Sequence, residues 1–359
     1  MTRRLMEGSE AIAEAAVAAG CRFFAGYPMT PFTEVLEHFA RKLPEAGGVC
    51  INAESELEAV GMAWGAVATG ARTATGSTGQ GLSLMQESLS EITRAELPLV
   101  VFNMARGQAD YFQATRGGGH GDYRHIVLAP LDIHEAVELT QLAFHLADRW
   151  RNPVLVYGDY LLAHTCEAVE VERLDFGPLP AKDWAVDGTL GGSGHSRVVN
   201  PLGFGKGAAE VDPEGLWKEL AAKHERIAAE EVRFASEFID DAELVVVAFG
   251  TAARFARYAV RELRGQGARV GYLRPISLWP FPYQAVAAAA EGARCVAVLE
   301  QNAGQMIEDV RLGVLGRAPV VAIGGISTDP SGFGVGALLD AAVIRGRIER
   351  TLQGEEVRM

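Results

Sequence analysis

Short apolar runs recur along this chain, and most give way within a few residues to a helix-start signal. Residues 21–25, Val49–Asn52, 71–75, 98–103 and 153–157 are four to six residues long, the length of strands rather than helices. Their near-continuous apolar character suits strands buried on both faces. Ser9 reads as the N-cap of a helix through Ala19 that Gly20 ends, and Thr30-Pro31 reads as the N-cap and first residue of a helix to about Lys42. Ser55-Glu56-Leu57-Glu58 is a capping box for a small-residue helix that stops at Gly70, and Asp132-Ile133-His134-Glu135 is a second start of that kind. Gly76-Ser77-Thr78-Gly79-Gln80-Gly81 reads as a loop. Strand–helix alternation of this kind builds a parallel sheet with helices on both faces. The fold class is α/β.

The rhythm stops at about residue 166. Between 188 and 207 seven of twenty residues are glycine, too many for regular elements. It resumes with apolar runs at 244–249, 269–273, Cys295–Leu299 and 320–323, with a helix after the first that reaches about Gly265. The expected organisation is therefore a larger α/β domain over 1–165, a glycine-rich excursion over 166–233 and a smaller α/β domain over 234–359.

Composition narrows the function. With 33 Lys and Arg against 46 Asp and Glu the formal charge is −13, the wrong sign for nucleic acid or an anionic membrane as main partner. The four cysteines stand far apart, with no CxxC spacing to hold zinc or an iron–sulfur cluster, and so few in so long a chain fit a reduced, cytoplasmic setting. Arg3-Arg4 and the later Ala19-Gly20-Cys21 faintly resemble an export signal, but Glu7, Glu10 and Glu14 interrupt what would be its apolar core. No run approaches the roughly 18 apolar residues that a membrane span needs.

Ligands of parallel sheets bind outside the carboxyl ends of the strands. Four loops there are unusual: Gly26 to Pro31, Asn52 to Glu56, Gly76 to Gly81, and Met104 to Gly107 running into the glycine-rich stretch Gly117 to Asp122. Each candidate side chain also has an ordinary reading. Thr30 could be only a cap, Glu56 a complement to its helix dipole, Arg106 half of an ion pair, and His120 an exposed loop residue. Gly203-Phe204-Gly205-Lys206-Gly207 fails as a P-loop, because Gly207 stands where Ser or Thr is needed. The dinucleotide fingerprint, HExxH and GxSxG are missing.

Several segments carry a family resemblance: residues 20–31, Ala53-Glu54-Ser55-Glu56, the run Gln108-Ala109-Asp110-Tyr111 continuing to Tyr123, Arg151-Asn152-Pro153, Arg274-Pro275, and residues 300–306. Together they resemble the alpha subunit of 2-oxoacid:ferredoxin oxidoreductases, most of all the branched-chain (2-oxoisovalerate) type. The resemblance implies a pyrimidine-binding domain for thiamine diphosphate and a smaller domain like the C-terminal one of transketolase. It implies oxidative decarboxylation of a 2-oxoacid to acyl-CoA and carbon dioxide. It makes Glu56 the activating carboxylate, hydrogen-bonded to the pyrimidine N1′ so that the imino tautomer can remove the thiazolium C2 proton. Thr30 and Arg106 would hold the substrate. Tyr27, Pro28, Gln80 and Gly81 would line the cofactor beside Glu56, and His120 and Asp122 would contribute from their loop.

The resemblance also implies partners. Thiamine enzymes bind diphosphate and Mg²⁺ through Gly-Asp-Gly followed by Asn, yet Gly158-Asp159-Tyr160 and Gly121-Asp122-Tyr123 both lack the second glycine. A beta subunit would thus supply the diphosphate half and Mg²⁺. Iron–sulfur clusters would sit in partner chains, with a gamma or ferredoxin-like subunit, ferredoxin or a similar acceptor, and coenzyme A completing the reaction. No metal is expected in this chain. One departure stands out: relatives carry a Gly/Pro-rich stretch between the arginine–glycine pair and the Gln-Ala-Asp-Tyr run, whereas Arg106-Gly107 joins Gln108 directly. The shortened loop leads us to expect a pocket for a bulkier 2-oxoacid. The rivals are a non-redox thiamine enzyme of transketolase type and a non-catalytic structural subunit.

Overall fold

A computed structural model describes residues 3–186, 213–325 and 340–355. The glycine-rich residues 188–207, with the Gly203 to Gly207 run, lie outside the described residues. The chain opens with β1 (Arg4–Glu7), α1 (Gly8–Ala18), β2 (Phe23–Gly26), α2 (Thr33–Glu45), β3 (Val49–Asn52) and α3 (Glu56–Ala68). It continues with β4 (Thr73–Ser77), α4 (Gly79–Arg94), β5 (Leu99–Ala105), α5 (Tyr111–Thr115), β6 (Ile126–Leu128), α6 (Ile133–Trp150) and β7 (Val154–Asp159). Next come α7 (Tyr160–His164), β8 (Cys166–Val169), α8 (Pro213–Glu230), β9 (Phe234–Glu237), β10 (Leu244–Ala248), α9 (Gly250–Gly265), β11 (Val270–Pro275) and β12 (Ser277–Trp279). The last elements are α10 (Tyr283–Ala290), β13 (Cys295–Leu299), α11 (Met306–Val314), β14 (Val320–Ala322) and α12 (Ala341–Gln353).

The larger sheet has seven strands in the order β12-β6-β7-β5-β4-β2-β3, parallel except for β12. β5 lies in its middle and every residue of it is buried. Val100, Phe102 and Met104 enter a core with α1, α2 and α6, while Leu99, Val101 and Ala105 enter a second core with α3 and α4. Alternation by twos along a doubly covered strand explains why the sequence shows a continuous apolar run. The second sheet, ordered β14-β13-β10-β11-β9, is parallel apart from its edge strand β9. Its Val245, Val247, Val296 and Val298 share the core of α3 and α4. The two sheets therefore face each other through one continuous apolar layer.

Three expected helix starts move. Ser9 is not the N-cap of α1: Glu7 is, because β1 pairs antiparallel with β8 and delivers the chain straight into the helix. Gly8 makes that entry close, since a Cβ there would lie 1.8 Å from the Leu162 carbonyl oxygen. Thr30-Pro31 does not open α2 either. The helix begins at Thr33 with Phe32 as N-cap, and the Phe32 ring is buried 6.1 Å from that of Phe24. Ring packing beat the cap signal. Residues 76–81 are not a loop: β4 runs on to Ser77, which pairs with Asn103 of β5, and α4 starts at Gly79. By contrast Ser55 caps α3 through the Leu57 amide at 3.2 Å, and Asp132 caps α6 through the Glu135 amide at 2.9 Å while Glu135 accepts from the Leu131 amide.

Candidate active site

The chain runs from β2 outward to β3 on one side and then back across to β4 on the other, so the loops after β2 and β4 diverge. That divergence is the topological switch point of the sheet, the place where a crevice opens at the strand ends. Neighbouring strands are about 4.8 Å apart, so the ends of β3 and β4 stand roughly 10 Å apart across β2.

Glu56, first residue of α3, reaches across that gap. Its side chain is buried (2% exposed), and its Oε1 accepts a hydrogen bond from Ser77 Oγ at 2.8 Å. The hydroxyl hydrogen bond from Ser77 fixes the orientation of the Glu56 side chain at the start of α3. Gly81, in the first turn of α4, makes the approach possible. A Cβ on it would stand 2.0 Å from Ser77 Oγ and 2.3 Å from Glu56 Oε1. Beside it, Thr78 Oγ1 is buried with no hydrogen-bond partner. The N-terminus of α4 is held from behind by Gln113, whose Nε2 donates to the Gly79 carbonyl and to Asp110 Oδ1, both at 3.0 Å.

Arg106, just past β5, closes the other side. Its Nε donates to the Thr30 carbonyl at 3.2 Å, and its Nη1 donates to Gln80 Oε1 at 3.0 Å. Thr30, Gln80, Gly81, Arg106 and Glu56 thus meet around one switch point, contributed by the ends of four adjacent strands. Tyr27 and Pro28 lead from β2 into the same loop, and the Thr30 side chain is exposed there. A buried carboxylate at a helix start thus lies beside the strand ends where the Arg106 guanidinium ties the Thr30 carbonyl to Gln80.

His120 and Asp122 are not brought to it. His120 is 58% exposed and pairs with Glu91 at 2.7 Å. Twelve residues of helix separate Gly79 from Glu91, about 18 Å of rise. The glycine-rich loop folds instead on the flank of α4: Tyr123 Oη accepts from the Gly118 and Gly119 amides, both at 3.0 Å, and donates to Gln86 Oε1 at 2.8 Å. Its glycines answer to packing, since a Cβ on Gly117 would stand 2.2 Å from Tyr123 Oη. Asp122 is exposed on that loop.

Sequence reasoning missed Ser77, which it placed in a loop. The Ser-x-x-x-Gly spacing of Ser77 and Gly81 becomes informative only when β3 and β4 are known to flank β2. Asp159 was noted for a failed diphosphate motif. It caps α7 through the Leu162 amide and accepts from the Thr251 hydroxyl, and burial pushes its carboxyl above the usual range against those bonds.

Residues 14–184 match the family model described as pyruvate flavodoxin/ferredoxin oxidoreductase, thiamine diphosphate-binding, and residues 242–330 match pyruvate:ferredoxin oxidoreductase core domain II. The chain is 38% identical over 322 residues to the ketoisovalerate oxidoreductase subunit VorB of Methanothermobacter thermautotrophicus, covering 87% of this chain and 90% of the relative. It is 36% identical over 346 residues to the 2-oxoglutarate synthase subunit KorA of the same organism, covering 88% and 92%. Among solved structures, 98% of the chain superposes on 66% of a 2-oxoglutarate:ferredoxin oxidoreductase chain from Magnetococcus marinus, with a TM-score of 0.82 at 23% identity. A split-gene transketolase shares the fold more distantly, at a TM-score of 0.60 and 14% identity.

Proposed function

This chain belongs to the pyruvate flavodoxin/ferredoxin oxidoreductase family, and we propose that within its enzyme it is the subunit that activates thiamine diphosphate and holds the 2-oxoacid. The reaction is the oxidative decarboxylation of a 2-oxoacid by a thiamine diphosphate-dependent, multi-subunit oxidoreductase. Among the described residues no helix is long and apolar enough to cross a membrane.

The observation that carries the proposal is the Glu56–Ser77–Gly81 cradle at the switch point. A buried carboxylate with one oxygen engaged by Ser77, and a glycine that lets the start of α4 close onto both side chains, fits a group held to meet an aminopyrimidine edge. Thiamine diphosphate, when bound, supplies a nucleophilic carbon and an electron sink for the loss of carbon dioxide. The work of this chain is narrower. Ser77 holds Glu56 Oε1, so Oε2 would be the oxygen left to meet the aminopyrimidine of the cofactor. Arg106 commits Nε and Nη1 to Thr30 and Gln80, which leaves Nη2 for the substrate carboxylate. Thr30 sets its hydroxyl beside that carboxylate.

The substrate we assign is of branched-chain type. In the loops after β2, β3, β4 and β5, Arg106 is the one cationic side chain, enough for one carboxylate and not for the second of 2-oxoglutarate. A partner subunit supplies the diphosphate half with Mg²⁺. Iron–sulfur clusters and the contact with ferredoxin belong to partner chains, because this sequence holds no Gly-Asp-Gly and no CxxC.

Glu56→Gln in the assembled complex tests the role of the carboxylate. Exchange of the cofactor's C2 proton should slow by about 10²–10⁴-fold, the range for a lost acid–base group. Stability should change by about 1 kcal/mol or less, because a carboxylate at a helix N-terminus contributes about 0.3–1 kcal/mol and Gln retains an acceptor for Ser77. Wild-type exchange in the variant would leave Glu56 as a helix cap and nothing more.

A further inference from the structure

Arg106 is one glycine away from the most heavily bonded residue of its loop. Gln108 is fully buried. Its Nε2 donates to the Phe249 carbonyl at 2.9 Å and its Oε1 accepts from the Gln301 amide at 3.0 Å. Its backbone amide donates to the Gln301 carbonyl at 3.2 Å, and its carbonyl accepts from Asn302 Nδ2 at 2.8 Å. Both polar ends of the side chain and both backbone groups are therefore committed. Every partner lies in the second sheet's part of the chain, after β10 or after β13.

Those partners are themselves held. Asn302 is buried, and its Oδ1 accepts from the Gly304 and Gln305 amides at 2.8 and 3.1 Å. Glu300, also buried, accepts the Met306 and Ile307 amides at 2.8 and 3.1 Å and so locks the start of α11. Gln305 returns to the loop, accepting from the Phe112 amide at 2.9 Å and donating to the Ala109 carbonyl at 2.8 Å. The loop after β13 is a template against which residues 108–112 are moulded. On the other side of Arg106, Ala105 ends β5 in register with Asp159 of β7.

We propose that Gln108 is a positioning residue for substrate binding: it ties Arg106 to the second α/β unit and so places the guanidinium at the crevice. Gly107 is the only residue between the two, and one residue spans at most about 3.6 Å, so Arg106 cannot shift far while Gln108 is held. A Cβ on Gly107 would stand 3.4 Å from the Gln301 carbonyl oxygen, so the backbone also passes close to the template. The second unit thereby acts on the substrate end of the site, while Glu56 is set by Ser77 and Gly81 in the first sheet. This rests on the assignment of Arg106 to the substrate carboxylate.

The test uses the assembled complex with Gln108→Met, which keeps the side-chain volume and deletes both side-chain bonds. KM for the 2-oxoacid should rise about 10- to 100-fold, since an ångström of misplacement costs on the order of 10²-fold. Cofactor C2 proton exchange without substrate should stay within about twofold of wild type, a split that a general loss of structure does not produce. Added to Arg106→Ala, Gln108→Met should raise KM no further, because the two act as one unit. If Gln108→Met does not assemble, Asn302→Leu carries the same expectation. An unchanged KM, a further rise in the Arg106→Ala background, or a parallel loss of exchange overturns the proposal. An unchanged KM in Arg106→Ala alone instead overturns the role of Arg106 itself.

Discussion

Gly81→Ala is the most exposed point of the site's construction. The new methyl group would meet Ser77 Oγ at 2.0 Å, Glu56 Oε1 at 2.3 Å and Glu56 Cδ at 2.6 Å, all below any real Cβ contact. Neither neighbour is the free end of a flexible side chain, because the two are bonded to each other and buried. Overpacking of this kind costs about 1–3 kcal/mol and loss of a hydrogen bond to a charged group about 1.5–3, against a gain of about 1 from replacing glycine in a helix, so a net loss of about 1.5–5 kcal/mol follows. Gly61→Ala in α3 is the control. Nothing lies within 4 Å of its Cβ, so it should stabilise by about 0.5–1 kcal/mol. In the assembled complex, exchange of the cofactor's C2 proton should fall in Gly81→Ala about as far as in Glu56→Gln, although the carboxylate is still present. Thermal melting of both variants and proton exchange by NMR measure the two effects. Exchange within threefold of wild type, with an unchanged melting temperature, would show that α4 can retreat and that the cradle is not what orients Glu56.

Three further outcomes follow from the same geometry. Purified alone, the chain should bind thiamine diphosphate weakly or not at all by calorimetry, and tight Mg²⁺-dependent binding would contradict the division of the site between subunits. Burial holds the His125 imidazole down at about 4 from an ordinary 6.5, so between those values the unfolded chain takes up a proton that the folded one refuses; stability should fall by about 3 kcal/mol as pH drops through that window, and His125→Phe should flatten the slope. Across pyruvate, 2-oxobutyrate, 2-oxoisovalerate, 2-oxoglutarate and an aryl 2-oxoacid, kcat/KM should favour the branched and bulkier monocarboxylates in graded steps of about 1–3 kcal/mol per methylene, and a clear optimum at pyruvate or 2-oxoglutarate would refute the assignment.

The sheet was legible because its strands answer mainly to burial. β3 and β13 begin and end where the apolar runs do, and the capping boxes at Ser55 and Asp132 fall where the helices start. Local signals failed where distant segments intervene. Thr30-Pro31 lost to the ring of Phe32 packing on Phe24, and Ser9 lost to the pairing of β1 with a strand more than 150 residues away. The glycines from 117 to 121 looked like a ligand loop because glycine marks any close approach, whether to a cofactor or, as here, to Tyr123 and the backbone of α4.

By itself, the order of apolar runs and capping residues determined that this chain builds parallel sheets, and its motifs singled out Glu56, Thr30 and Arg106 as a group. Those properties are local, because a strand's length and a helix's cap are settled within a few residues. What only the tertiary structure decided is how that group is held. Ser77 reaches Glu56 because β4 and β3 lie on opposite sides of β2, and Arg106 is anchored because Gln108 finds its partners nearly 200 residues further along the chain. Contacts of that kind depend on strand order and on the docking of two sheets, and no spacing within one segment encodes either.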